Sequence, residues 1–290
     1  MMGNEIEQLQ SEIDELSTLL AESFYHTIKI LSDIVAINER KYYEGSHSRY
    51  VAEKSAIVAK LLDMTDADAY EIKIAGLLLD IGKIGFNDKL LMKFTSTMSQ
   101  TEYELYKTHC KLGWEILQSH NGFENISKII LQHHERLNGT GFPNRLQGKE
   151  IIPGAAIVAV VDTFHSGVFK RNHDRVSHTL NPENYIKLLE KRLIATIEYI
   201  NQKAGILFDS KVVEVFSQLI RTEFREMIKK TVWRLPINKL EEGMIIAEDY
   251  FNPAGLLISS KGEKITIEMI KSLIRFAESG EIPHKILVMK

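Results

Sequence analysis

"LLLDIGKIG", residues 77–85, sets an acid and an amine into an otherwise apolar run. Asp80 follows three leucines, and Lys83 comes one helical turn later. A carboxylate buried ionised in such a run needs a partner, because isolated burial of charge is costly. An i,i+3 ion pair with Lys83 would supply one, and a bound metal ion would supply another.

Outward from this stretch the chain is helical in period. Residues 48–64, 68–82, 100–119, 124–136, 155–169, 182–202 and 210–229 carry apolar residues at i, i+3, i+4 spacing. Breaks rich in Gly, Asn and Pro, such as "NGTGFPN", separate them. This pattern predicts an all-α domain over residues 41–230. Residues 4–40 predict one long helix. Ile6, Leu9, Ile13, Leu16 and Leu20 follow a 3,4,3,4 spacing; Ser23 and Thr27 weaken the seam, and Ile30, Ile34 and Ile37 resume it. Two readings stand: an amphipathic helix packed on its own domain, or a helix that pairs in parallel with a second copy. The polar remainder of the first turns favours the dimer. After Lys230 the character changes. "TVWRLPI", "GMIIAEDYF", "GLLISS" and "HKILVM" predict short strands, and "TIEMIKSLIRFAES" a helix capped by Thr266. The reading is therefore a mainly α protein in three parts: a helix at 1–40, a helical domain at 41–230 and a small α+β domain at 231–290. The last has no ligand-spaced cluster, and its expected role is packing or docking.

Composition narrows the function. The 290 residues carry a net charge of -3, which is no electrostatic footprint for a nucleic-acid polymer. Cys110 is the single cysteine, so no intrachain disulfide can form. No apolar run reaches the roughly 20 residues that span a bilayer. The acidic, polar "MMGNEIEQLQSEIDEL" is unlike a secretory signal, so the expected location is cytoplasmic, without a membrane.

Chemistry concentrates on histidines and two acids. His133 and His134 are adjacent in "IILQHHERLNGTGFP", and neighbours on a helix diverge by about 100°. On its own such a pair reads as packing. His47 opens a predicted helix, His109 lies in "LYKTHCKLG", and Asp80 and Asp162 end apolar helices. Imidazoles plus carboxylates make a mixed N/O donor set, which suits Fe, Mn or Zn better than Ca or Mg. Spacing alone leaves ion pairs for both acids equally open.

The wording of these stretches resembles the HD-GYP family, metal-dependent phosphohydrolases of the HD superfamily that hydrolyse cyclic di-GMP. The resemblance runs over about residues 40–225 through "HSRYVAEKSAIVAKLL", "LLLDIGKIGFNDKLLMK", "YKTHCKLGWEIL", "HHERLNGTGFPNRLQGKEIIP" and "IVAVVDTF". The tail "LEEGMIIAEDYFNPAGLLISSKGEKIT" resembles a segment that follows such domains in some bacterial response regulators, and the N-terminal helix looks like the linker preceding them. The resemblance implies an HD-superfamily helical domain with a coiled-coil-like N-terminal helix and a small C-terminal α+β domain. It implies metal ligands at His47, Asp80, His109, His133, His134 and Asp162, for one or two divalent transition-metal ions, Fe or Mn favoured and Zn possible. Lys83 matches a lysine near the substrate phosphate, with Asp80 and Lys83 as the catalytic pair. Arg171 and Phe142 fall at substrate-contacting positions. Leu79 stands where the family has a second ligand, Phe142 where it has the GYP tyrosine, and Asn138 where it has an acid; Tyr50 and Tyr43 also depart from the pattern. One ion position would keep His47, Asp80 and Asp162 and lack its fourth ligand. The other, with Asp80, His109, His133 and His134, is complete. The function implied is cyclic-di-GMP signalling by a weak or impaired phosphodiesterase, or alternatively by a non-catalytic receptor or scaffold. A homodimer and a signalling-protein partner are expected with either.

Overall fold

The computed structural model describes residues 2–40, 42–43, 46–170, 182–229 and 232–289. The chain divides into two compact units, Met1–Thr179 with Leu188–Ser217, and Leu180–Lys187 with Gln218–Lys290. Its helices are α1 (Met2–Glu39), α2 (His47–Leu61), α3 (Asp66–Leu78), α4 (Asp88–Leu91), α5 (Gln100–Leu117), α6 (Glu124–Gln132), α7 (Pro153–Phe169), α8 (Pro182–Gln202), α9 (Ser210–Lys229) and α10 (Ile267–Glu278).

Local chemistry sets the starts of the helices that carry the candidate residues. Thr65 and Asp68 close a reciprocal capping box on α3, with the Thr65 hydroxyl accepting from Asp68 N at 3.1 Å and the Asp68 carboxylate from Thr65 N at 3.2 Å. Ser99 and Glu102 do the same for α5. Pro153 sits in the first turn of α7, where its missing N–H costs nothing. Helix α7 is largely apolar, with Ala155, Ile157, Val158, Val160 and Val161 buried. Such a helix belongs at the centre, and α2, α3 and α6 pack on it.

In α1 only the second half packs on the unit, through Ile28, Val35 and Ala36. The seam residues Leu9, Ile13, Leu16, Leu20, Ile30, Ile34 and Ile37 are all exposed, Leu20 at 73%. The side chain of Ile6 lies outside the described residues. Packing on the chain's own domain therefore uses a different face from the one that periodicity singled out.

The helix predicted over 68–82 ends early. Helix α3 stops at Leu78, Asp80 takes φ -102° and ψ 12°, and a 3-10 turn covers Ile81–Lys83. The cause is a close approach. A Cβ on Gly82 would lie 2.1 Å from His109 O and 2.8 Å from Gly113 N, so α5 presses directly on the turn's backbone.

In the second unit, β1 (Val232–Pro236), β5 (Lys285–Met289) and β2 (Ile245–Ile246) form an antiparallel sheet in the order β1-β5-β2. Ile246, Ile286 and Val288 meet Leu273 and Ala277 of α10 in its core. Thr266 caps α10, accepting from Met269 N at 3.2 Å. The single strand predicted for "GMIIAEDYF" is two: Tyr250–Phe251 (β3) leaves the sheet to pair with Leu257–Ser259 (β4). The chain turns there because the Tyr250 hydroxyl reaches back to accept from Leu287 N at 2.5 Å, while Asp249 accepts from Lys261 N at 2.7 Å.

The glycine contact gives a direct test. Gly82→Ala must push α5 off the 3-10 turn and is expected to destabilise by about 1–3 kcal/mol or more. Gly85→Ala, where a Cβ meets nothing within 4 Å, should stay within about 0.5 kcal/mol of the parent. Thermal melts of the two variants read the difference.

Candidate metal centre

Five segments bring the candidate residues together. Helix α2 begins at His47, and the turn after α3 carries Asp80 and Lys83. His109 lies within α5, and His133 and His134 follow the last turn of α6. Asp162 sits in the third turn of the buried helix α7. Of the six implied ligands, His47, Asp80, His109, His133 and Asp162 are buried, and the His134 side chain is 11% exposed.

The tautomers of two imidazoles follow from their neighbours. His109 Nδ1 lies 2.5 Å from Tyr106 O, and His133 Nδ1 lies 2.6 Å from Ile130 O. A carbonyl oxygen only accepts, so both Nδ1 atoms carry hydrogen and both Nε2 atoms present lone pairs. Those Nε2 atoms face each other at 3.4 Å in the buried interior. Two opposed acceptors at that separation repel; a cation between them removes the conflict. Burial holds His109, His133 and His134 below the ordinary imidazole range, His109 and His134 well below it, which keeps the rings in the neutral form that coordinates metal.

The rest of the centre is anionic. His47 Nε2 lies 3.2 Å from Asp162 Oδ1 and 3.9 Å from Asp80 Oδ2. His134 Nδ1 lies 3.8 Å from Asp162 Oδ2. Among the described residues His134 Nε2 is buried without a hydrogen-bond partner, while His47 Nε2 and Asp80 Oδ1 have Asp162 and Lys83 as ion-pair neighbours. Burial pushes the Asp162 carboxyl up, but His47 and His134 outweigh it and hold it well below the usual carboxylate range. Burial alone would lower His47, yet Asp162, Glu39 and Asp80 carry its imidazole above the ordinary value. Converging ring nitrogens and carboxylates with unmet valence fit a divalent transition metal.

Asp80 meets the amine next to it in sequence. Lys83 Nζ lies 2.8 Å from its carboxylate, with the ammonium 5.0 Å above the Tyr106 ring. Burial raises the Asp80 carboxyl, but Lys83, His47 and His109 together outweigh it and hold it below the ordinary carboxylate value. Leu79 is fully buried and offers no lone pair at the position beside it.

Sequence reasoning missed several contributors. His165, one turn beyond Asp162 on α7, brings Nδ1 to 2.9 Å from His47 Nδ1, so one ring donates to the other and fixes the orientation of His47. The i,i+3 spacing of Asp162 and His165 was the available signal. Tyr43 stacks on His47 with ring centroids 4.1 Å apart and planes 8° apart, and its hydroxyl shares a 2.7 Å hydrogen bond with Ser166. Ligand atoms of His109, Cys110, His133 and His134 all lie within 4.8 Å of one another, which brings the lone cysteine into the centre.

A cavity of about 420 Å³ opens over His134 and Asp162. Phe142 forms one wall, its ring 4.7 Å from that of His134. Arg136 and Lys170 line it as cations; Lys170 Nζ donates to Lys93 O at 2.8 Å, and burial lowers its ammonium to about 8. Lys83 lies deeper, on Asp80. Buried Glu135 shapes the loop that carries Phe142, accepting from Asn144 N at 2.6 Å and Leu146 N at 3.0 Å. Asn138 steadies its tip, accepting from the Thr140 hydroxyl at 2.7 Å. Arg171 lies outside the described residues.

A cyclic di-GMP phosphodiesterase of Thermotoga maritima is 30% identical over 213 residues, 73% of this chain and 53% of that one. A cyclic di-GMP phosphodiesterase response regulator of Xanthomonas campestris is 30% identical over 179 residues, 60% of this chain and 43% of that one. A 3'3'-cGAMP-specific phosphodiesterase of Vibrio cholerae is 30% identical over 128 residues, 44% of this chain and 28% of that one. The chain spans about half the length of the first of these relatives, and less of the others. Residues 29–212, which take in every one of the converging side chains, match the HD domain, and the chain belongs to the HD domain family.

Proposed function

We propose that this chain is a metal-dependent phosphodiesterase of cyclic dinucleotides, with cyclic di-GMP the first substrate to test and Leu79 the brake on its rate. The observation that carries the metal is the pair of imidazole lone pairs 3.4 Å apart between His109 and His133. The names of the relatives support the substrate class. A bound ion, Fe or Mn with Zn as a third choice, would supply Lewis-acid polarisation of a phosphoryl oxygen and an acidified water. His109, His133, His134 and Asp80 would hold one ion; His47, Asp162 and Asp80 would hold a second more weakly.

The chain's own residues do the remaining work. Arg136 and Lys170 set positive charge along the cavity, where phosphate oxygens would lie. Lys83 keeps Asp80 ionised and is the nearest ammonium to the centre. Phe142 and Tyr103, whose ring centroids are 6.1 Å apart, give apolar faces on which a nucleobase can stack. The missing tyrosine hydroxyl at Phe142 should cost about 1 kcal/mol where it would have bonded.

A second reading, a receptor that binds the dinucleotide without turnover, has its own support. Leu79 removes a donor, and Asp80 is already satisfied by Lys83. In either case the exposed stripe of α1 is proposed to pair with a second copy, the 231–290 region to dock a signalling partner, and the chain to act in the cytoplasm. No helix among the described residues is long and apolar enough to cross a membrane.

Three measurements check these claims. Metal content should fall in His134→Ala and persist in His47→Ala; the reverse pattern would overturn the assignment of the tighter position. Leu79→His, confirmed folded by its melt, should bind a second ion and cleave cyclic di-GMP at least tenfold faster, about 1.4 kcal/mol of barrier. A folded variant with two ions and no gain in rate would favour the receptor reading. Light scattering should give the mass of two chains, and changing Leu9, Ile13, Leu16 and Leu20 to Gln should give one; a monomeric parent contradicts the seam.

A further inference from the structure

We infer that Glu39, the last residue of α1, is the positioning residue of His47, and that it ties α1 to the ion position that His47 serves. The consequence for an ion rests on the proposed weaker position at His47, Asp162 and Asp80; the seating of His47 does not.

Helix α2 starts without a cap of its own. His47 is its first residue, and the Ser46 side chain at the N-cap makes no capping hydrogen bond. The first N–H groups of a helix have no partner within it. Glu39 supplies one from nine residues before Ser48, its Oε2 accepting from Ser48 N at 3.0 Å and from the Ser48 hydroxyl at 3.0 Å. A carboxylate there also complements the positive end of the α2 dipole. The main chain of the same residue acts through a second route. Glu39 O accepts from Tyr42 N at 3.0 Å and from Tyr43 N at 2.9 Å. That turn carries the Tyr43 ring onto His47, with 4.1 Å between centroids. One residue thus seats His47 both through α2 and through Tyr43.

Glu39 is fully buried, and its Oε1 has no hydrogen-bond partner among the described residues. Burying a half-satisfied carboxylate is costly. A serine or aspartate cap from the N-cap position would have served α2 alone without that cost. What Glu39 adds is a link between helices. Helix α1 packs through Ile28, Val35 and Ala36 and leaves its apolar stripe exposed. A shift of α1 would therefore move Ser48 and His47 with Glu39. His109 and His133 are held by Tyr106 O and Ile130 O instead, so the tighter position does not depend on this link.

Chemical modification of the full-length protein with diethyl pyrocarbonate, followed histidine by histidine in a mass spectrometer, tests the seating. His47, His109 and His133 are all fully buried and should be protected alike in the wild type. In Glu39→Ala His47 should react about tenfold faster, the scale of a lost cap, while His109 and His133 stay protected. Glu39→Gln keeps an oxygen that accepts from Ser48 and should protect all three rings as the wild type does. An unchanged His47 rate in Glu39→Ala, or equal acceleration at all three rings, would overturn the proposal. Where Glu39→Ala fails to fold, Ser48→Ala, which removes one of the two donors, should still raise the His47 rate about twofold; no rise would overturn it. Titration with Mn(II), with the free ion read by electron paramagnetic resonance, tests the consequence. Glu39→Ala should hold the weaker ion about tenfold less tightly and the tighter ion as before. Equal affinity for both ions in Glu39→Ala and wild type would overturn the tie to the ion. A wild type that binds no Mn(II), Fe(II) or Zn(II) would overturn the metal reading, and the modification rates would still decide the seating of His47.

Discussion

Two imidazoles turned to face each other with their lone pairs, inside a protein and away from water, form the constraint on which this structure depends. Each ring is locked by a hydrogen bond to a carbonyl one turn earlier, His109 to Tyr106 and His133 to Ile130. Neither ring can relieve the conflict by changing tautomer without losing that bond. The fold holds them there by force of packing. Helix α5 rests on a glycine backbone at Gly82, with no room for one added carbon. Helix α7, mostly apolar and buried, carries Asp162 into the same interior. A cation resolves the nitrogen repulsion and the buried anionic charge together.

The electrostatics of the centre are graded rather than uniform. At one end the ring nitrogens of His109, His133 and His134 gather with the sulfur of Cys110. At the other, His47 lies between two carboxylates and is oriented by Tyr43 and His165. Lys83 neutralises Asp80, the acid that stands between the ends. Leu79, buried beside Asp80, offers no lone pair to the carboxylate end. Beside them the cavity with Arg136, Lys170 and Phe142 has the charge and aromatic surface that a nucleotide needs.

Most of the helices were legible in the sequence because their apolar spacing reports burial directly. The run ending at Asp162 was legible for the same reason: an acid closing an apolar run needs an explanation, although the helix itself continues to Phe169. Convergence was not legible from periodicity. On the helix predicted over 124–136 His133 and His134 would diverge, whereas α6 ends at Gln132 and both follow it; only the resemblance to a known family tied them to His47, His109 and Asp80. Helix α3 was predicted four residues too long, since the close approach at Gly82 is a tertiary contact. "GMIIAEDYF" read as one strand because its apolar pattern carries no trace of the hydrogen bond from Leu287 N to Tyr250. His165 had only its i,i+3 spacing from Asp162 as a signal, and Tyr43 and Lys170 act through Ser166 and Lys93, neighbours distant in sequence.

The account's central claim is that the buried imidazoles and acids are built around an ion. Thermal melting of the full-length protein with and without a strong chelator, followed by return of a divalent transition metal, tests it most directly. An ion at about 100 times its dissociation constant adds about 2.7 kcal/mol to the folded state. For a unit of this size that raises the melting temperature by about 5–10 °C. The account predicts a fall of that order on chelation and recovery when metal is restored; a melting temperature indifferent to both would contradict it.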